Sequence, residues 1–200
     1  MQVTLIYFTP LEIAIKAIRK CYDSCSDNLG EKDMKLLESI IKNDHTSTIE
    51  HINYTFEIDG ISRACLQELA RHRHTSLSVE STRYTLRNLV KKFKEGNFLY
   101  SDYLVMIKGD PMYQLAIDSL NRVISLLEAG YKNDQVKYIL PESYKTNLIL
   151  TINARSLRNF LKLRSSSKAL WEIRELAKSI FNAIPDSHKI LFKDIIKGEE

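Results

Sequence analysis

The run Arg71-His72-Arg73-His74-Thr75-Ser76-Leu77-Ser78-Val79-Glu80-Ser81-Thr82-Arg83-Tyr84 holds three arginines, two histidines and a cluster of hydroxyls. Only Leu77 and Val79 are aliphatic, so the run is not core. It has no glycine or proline, so it is not a plain turn or linker. Guanidinium, imidazole and hydroxyl donors suit phosphate oxygens and the polar edge of a base or flavin ring. The bland alternative is a helix C-terminus, where the macrodipole favours cations. That covers one or two arginines but not Ser76, Ser78, Ser81 and Arg83 downstream.

Three further constellations carry chemistry. His45-Thr46-Ser47-Thr48-Ile49-Glu50-His51 precedes an alternating strand pattern. Lys137 through Pro141 is a short cationic segment. Asn153-Ala154-Arg155-Ser156-Leu157-Arg158-Asn159-Phe160-Leu161-Lys162-Leu163-Arg164 places Arg155, Asn159 and Lys162 on one helical stripe at i, i+4 and i+7.

Rival chemistries fit the spacing less well. His45, Glu50 and His51 lack the H-E-x-x-H spacing of a zinc helix, and no cysteine pair supports a metal. Ser81 stands in no Gly-x-Ser-x-Gly elbow, which argues against a serine hydrolase. The grouped cations lack the aromatic stacking pattern of an RNA-recognition sheet. A basic nucleic-acid-binding module remains the alternative of a different class, with salt-sensitive binding as its mark. There is no Gly-x-Gly-x-x-Gly and no phosphate-binding glycine loop. Any nucleotide or flavin must therefore be held by side chains and helix ends.

The elements that position these residues follow from periodicity. Residues 2–8 read as a buried strand ended by Thr9-Pro10. Leu11, Ile15 and Ile18 recur at helical spacing up to Tyr22. Ser24 to Gly30 reads as a polar loop, and Met34, Leu37, Ile40 and Ile41 mark a second helix. Asn43 to Thr48 reads as a polar connection. Ile52, Tyr54, Phe56 and Ile58 alternate with polar residues, a strand expected to end at Asp59-Gly60. Ser62 is placed to cap a helix that runs out near Arg71.

Residues 86–94 read as a basic amphipathic segment, and 96–109 as a loop with short helical turns. Pro111 opens a long helix with Leu115, Leu120, Val123, Ile124 and Leu127 inward, ended by Gly130. Asp134 to Leu140 is a short helix, Tyr144 to Ile152 a strand. Asn153 stands as N-cap of a helix to about Leu163, broken by Ser165-Ser166-Ser167. A last long helix carries Leu170 to Ile184 and stops at Pro185, followed by a short helix and a charged end. Helices and strands do not alternate strictly. The expected class is α+β, a central antiparallel sheet of few strands flanked by helices, in a single domain over residues 1–200.

Two hundred residues can bury a sizeable core. Hydrophobic residues are 44% and charged residues 27%, which excludes general disorder. The net charge of +4 favours anionic ligands without implying nucleic acid. Cys21, Cys25 and Cys65 are odd in number and form no C-x-x-C, so a disulfide framework is not expected. No apolar run spans a bilayer and no leader precedes residues 1–8, so the expected setting is the cytoplasm.

Arg71-His72-Arg73, seven residues, Ser81 and then Arg83-Tyr84 resembles the signature of flavin-dependent thymidylate synthases. The resemblance extends through His45 to Phe56, a His-x-x-x-x-Glu-His segment ahead of a strand, and through Ile139-Leu140-Pro141. It continues in Asn153-Ala154-Arg155-Ser156-Leu157, Asn159-Phe160-Leu161, Leu163-Arg164 and Trp171-Glu172. The motifs span about residues 43 to 175 in the family's order.

The resemblance implies methylation of dUMP at C5 to give dTMP. Methylenetetrahydrofolate would be the carbon donor, with reducing equivalents from NADPH passing through FAD. It also implies a homotetramer with shared active sites, and no nucleic acid, membrane or metal. Arg164 matches the family arginine that favours ionisation of the uracil N3–H and is the expected catalytic residue. The flavin set it implies is His45, Ser47, Arg71, His72, Arg73, Asn153, Arg155 and Asn159. The dUMP set is Glu68, Arg71, Glu80, Ser81, Thr82, Arg83, Lys137 and Arg164. Ser81 is expected to donate a hydrogen bond rather than to attack, because the family works without an enzymic nucleophile on the uracil.

The chain departs from the family pattern in places. Ser78 and Val79 stand where Asn and Glu are common. Glu68 stands for a glutamine, with Gln67 beside it. Lys137 replaces an arginine, keeping charge and losing the bidentate fork. Lys168 replaces a histidine.

Overall fold

The computed structural model describes residues 1–24, 30–106 and 111–195. The chain forms strands β1 (Gln2–Phe8), β2 (Asn53–Ser62), β3 (Thr75–Val79) and β4 (Lys145–Asn153), in the sheet order β1-β2-β4-β3. The sheet is antiparallel and flanked by helices, as the α+β reading expects. The helices are α1 (Leu11–Cys21), α2 (Glu31–Lys42), α3 (Arg63–Ala70), α4 (Thr82–Thr85), α5 (Arg87–Lys94), α6 (Tyr100–Tyr103), α7 (Pro111–Glu128), α8 (Asn133–Val136), α9 (Ala154–Arg164) and α10 (Trp171–Ala183).

Two compact units emerge. One comprises Met1, Asp59–Glu68 and Ser78–Leu148; the other comprises Gln2–Ile58, Leu69–Leu77 and Ile149–Glu200. In the first, α7 buries Leu120, Val123, Ile124 and Leu127 with Leu86, Leu89, Leu104, Val136 and Tyr144. Leu115 corrects the sequence reading: it is 59% exposed, because it sits off the stripe set by the other four. In the second unit, α10 packs on α9 and on β1, and α1 packs on the 3-10 turn Thr46–His51. Tyr54, Phe56, Phe160 and Phe192 are its largest fully buried side chains.

The strand expected to end at Asp59-Gly60 runs on to Ser62. Gly60 takes φ +75°, a left-handed conformation open to glycine, and its N–H donates to Asn147 Oδ1 at 2.9 Å. The ladder survives a residue pair that ordinarily signals a turn because a side chain replaces the lost pairing. Asn43 to Thr48, read as a plain connection, passes into the 3-10 turn at Thr46. β3 lies inside the polar run read as neither core nor turn. Its alternation of half-buried Thr75, Leu77 and Val79 with exposed Ser76 and Ser78 suits an edge strand, wet on one face. Ser62 caps α3 as expected, its Oγ accepting from the Cys65 N–H at 3.0 Å. The expected loop 24–30 and irregular stretch 96–109 fall partly outside the described residues, and the charged end at 196–200 wholly so. Among the described residues no helix is long and apolar enough to cross a membrane.

Candidate active site

Helix α9 begins at Asn153, where β4 ends. The Asn153 side-chain oxygen accepts from the Ser156 N–H at 2.8 Å, the expected N-cap. Leu157, Phe160 and Leu161 are buried, so the helix cannot rotate about its axis without exposing them. That fixes Arg155 and Asn159 on its outer side, while Arg164 continues the Leu157–Leu161 stripe at the helix's last turn and is half-buried.

These side chains line a cleft of about 740 Å³ together with Arg71, His72, Arg73 and Asn153. Seven residues singled out in the sequence therefore converge, although some eighty positions separate the two groups. The chain reaches the cleft from α3 through residues 71–74, where His74 takes φ +60° and turns the backbone into β3. That left-handed position separates the helix from the strand.

The geometry assigns His72 a second task. The residue is 9% exposed; its ring stands edge-on to Phe160 at 4.9 Å between centroids and receives the Arg164 Nε–H at Nε2, 2.8 Å away. A guanidinium only donates, so Nε2 carries the lone pair and the ring proton belongs on Nδ1. His72 thus fixes the plane of the Arg164 guanidinium. The sequence marked both residues but held no sign that they touch.

Arg155 is held by Glu50 at 2.6 Å, an exposed pair. Glu50, His74, Ser156 and Leu163 also line the cleft and were not among the expected site residues. The His45-to-His51 segment was the signal available for Glu50, the Arg71–Tyr84 run for His74, and the Asn153–Arg164 constellation for Ser156 and Leu163. His45, just before the 3-10 turn, and Ser47, within it, are exposed and do not line the cleft. Their neighbours Asp44 and Thr46 line a second groove.

The remaining expected residues lie in the other unit. Arg83 sits on α4 in a fork with Asp134, Nε at 2.8 Å and Nη2 at 3.3 Å, and its backbone oxygen accepts from Asn133 Nδ2 at 2.7 Å. Asp134 raises the guanidinium further above its ordinary range, chiefly through that hydrogen bond. Thr82 is buried and opens α4; Ser81 precedes it, its carbonyl accepting from Thr85 Oγ1 at 3.2 Å. Glu80 accepts from Asn147 Nδ2 at 3.0 Å, and its N–H donates to the Asn147 carbonyl at 2.9 Å. Asn147, which also holds Gly60, thus braces Glu80. Glu68 is half-buried on α3, and Gln67 beside it donates to both carboxylate oxygens of Glu142 at 2.9 and 3.0 Å. Lys137 is half-buried in the 3-10 turn Lys137–Ile139.

The cleft is rich in donors that cannot lose their charge. Arg71, Arg73, Arg155 and Arg164 can meet a pyrophosphate or an anionic ring, and the donor set fits a flavin dinucleotide. Asn153 has its oxygen committed to the helix, so what it offers a ligand is its amide NH2.

Comparison with known proteins gives the same direction. The model of a family described as Thymidylate synthase complementing protein matches residues 4–188. The flavin-dependent thymidylate synthase of Campylobacter jejuni strain RM1221 is 52% identical over 199 residues, covering 96% of each chain. That of Helicobacter pylori strain 26695 is 47% identical over 209 residues, covering 98% of this chain and all of the relative. The crystal structure of Thymidylate Synthase X from Helicobacter pylori with FAD and dUMP superposes with a TM-score of 0.90 at 46% identity, covering 99% of this chain and 100% of the other.

Proposed function

Because the chain belongs to the flavin-dependent thymidylate synthase family, we propose that it is an FAD-dependent enzyme that converts dUMP to dTMP with methylenetetrahydrofolate as carbon donor and NADPH as reductant. The observation that carries this reading is the convergence of Arg71, His72, Arg73, Asn153, Arg155, Asn159 and Arg164 on one cleft. Together, dUMP, methylenetetrahydrofolate, NADPH and a proton give dTMP, tetrahydrofolate and NADP+. Bound FAD would supply the reducing equivalents and the handling of the one-carbon unit.

The chain's own residues bind and polarise. Arg71, Arg73 and Arg155 hold anionic oxygens of the cofactor, and Asn153 and Asn159 donate to its polar edges. Arg164 places a permanent positive charge against the uracil. It thereby favours loss of the N3 proton and an enolate-like ring whose C5 is the better nucleophile. His72 holds that guanidinium in plane from its Nε2. Arg83 and Lys137 meet the nucleotide phosphate, with Ser81 and Thr82 as hydrogen-bond donors. Arg83 must first exchange Asp134 for the phosphate, an exchange of one charge-assisted fork for another. Glu68 and Glu80 complete the dUMP set, and His45 and Ser47 the flavin set. In this reading the whole chain acts as one domain, in the cytoplasm, as a homotetramer with shared active sites.

The test is the absorbance spectrum of the purified protein with and without dUMP, followed by assay of dTMP formation. A flavin spectrum perturbed by dUMP, with turnover, is expected. A colourless protein that neither takes up added FAD nor forms dTMP would falsify the reading.

A further inference from the structure

A second groove of about 1240 Å³ runs along the outer faces of α9 and α10. It shares Arg155 and Asn159 with the first cleft but extends away along Lys162, Trp171, Arg174 and Lys178. Five cationic side chains line it against three carboxylates; with Arg158 paired to Asp194 at 2.6 Å and Arg155 to Glu50 at 2.6 Å, Lys162, Arg174 and Lys178 stand against Asp44 and Glu175. The surplus positive charge suits an anion. Arg174 is half-buried on the groove wall, which limits how far its guanidinium can turn away from the groove. Trp171 is 37% exposed on the same wall and offers an aromatic face for stacking.

We infer that the α9–α10 groove seats the ring-bearing, polyanionic end of a co-substrate, its charge met by Arg174, Lys178 and Lys162 and its ring by Trp171. The inference rests on the functional reading above for which molecule brings that end. A nicotinamide dinucleotide would bring phosphates and a folate would bring carboxylates. The shared Arg155 and Asn159 place the groove beside the cleft proposed for the flavin, so a ligand seated here reaches toward it.

Trp171 is the only tryptophan in the chain, so its emission reports on this groove alone. The FAD-loaded protein is titrated with adenosine 2′,5′-bisphosphate in one arm and p-aminobenzoyl-triglutamate in the other. One of the two is expected to quench Trp171 saturably, with affinity falling as salt rises. Lys178 is exposed, so Lys178→Glu folds. It should weaken that binding by at least about tenfold, the loss of one charge-assisted contact or more. It should raise KM for the matching co-substrate with little change in kcat, and leave flavin content and dUMP affinity as in the wild type. If the protein makes dTMP but neither probe quenches Trp171, or if Lys178→Glu leaves binding and both KM values unchanged, the inference is overturned. A change in oligomer mass in Lys178→Glu with no effect on either probe also overturns it, assigning the groove to contact between copies. If a probe binds and Lys178→Glu weakens it while no dTMP forms, the groove stands and the functional reading falls.

Discussion

The two ends of Arg71–Tyr84 have similar composition and different situations. Arg71, His72 and Arg73 open onto a cleft with α9, and His72 spends its ring nitrogen on positioning Arg164. At the other end Arg83 is spent on Asp134, in a pair whose members are 60% and 54% exposed. The first end is organised before any ligand arrives. The second is neutralised locally and could take up an anion only by exchange. A pre-set guanidinium can stabilise charge that develops during a reaction, because nothing must reorganise at that moment. An exposed, exchangeable one is suited to binding a phosphate that is charged throughout.

Arg164→Ala tests the organised end most severely. Turnover should fall by about a hundred- to a thousandfold, the loss typical of a donor to developing charge, with flavin retained. Single-turnover rates and the flavin spectrum measure both. Near wild-type rates would remove Arg164 from the chemistry. Arg83→Ala should act on binding instead, raising KM for dUMP by about ten- to a hundredfold with kcat little changed. Ser81→Ala should cost less than Arg83→Ala, and the reverse order would point to a nucleophilic serine.

His72→Phe separates orientation from charge. It keeps the ring against Phe160 and removes the acceptor, so kcat should drop by about tenfold, one lost charge-assisted bond. His72→Gln, whose amide oxygen can accept from Arg164 Nε, should recover part of it. Little loss in His72→Phe, with loss in His72→Gln, would mean that His72 serves packing alone. Asp134→Asn is the smallest change expected at the exchangeable end. Releasing Arg83 should lower KM for dUMP by about two- to fivefold, the worth of an exposed ion pair. A raised KM would show that Asp134 positions Arg83 rather than competing for it.

Acid should distinguish the two units as well. In the second, His188 is 2% exposed, bonded through Nδ1 to the Tyr54 hydroxyl at 2.8 Å, with Phe8 edge-on to its ring. Burial pushes the His188 pKa below its ordinary value, with Glu12 opposing weakly. The unfolded chain therefore binds a proton that the folded one resists. Stability is full above the ordinary histidine range and is lost as pH falls through it toward the lowered folded value. Thermal melts on either side of about pH 6.5 should show that loss, and His188→Asn should flatten it. A wild-type Tm that holds steady on acidification would remove His188 as the cause.

Much of this was legible in order along the chain. The alternation of Ile52, Tyr54, Phe56 and Ile58, the cap at Asn153 and the apolar stripe of α9 are local consequences of side-chain period, and they stand as read. The residue types that a flavin and an anionic nucleotide need were visible too, because charge and hydrogen-bonding capacity belong to the side chain itself. Leu115 and residues 2–8, a strand as read but largely exposed rather than buried, were misread, and β3 went unread, for one reason: whether a residue is covered depends on what the rest of the chain brings over it. A half-wet edge strand carries too little apolar pattern to announce itself.

What only the tertiary structure decided is which of those capacities are already spent. Arg83 on Asp134, Gln67 on Glu142, Glu80 on Asn147 and His72 on Arg164 are pairings between distant positions. The sequence determined that the Arg71–Tyr84 run would seek anions. The fold decided that one end would hold its donors aimed and the other would hold them paired, because a hydrogen bond is set by distances of a few ångströms that sequence separation does not encode.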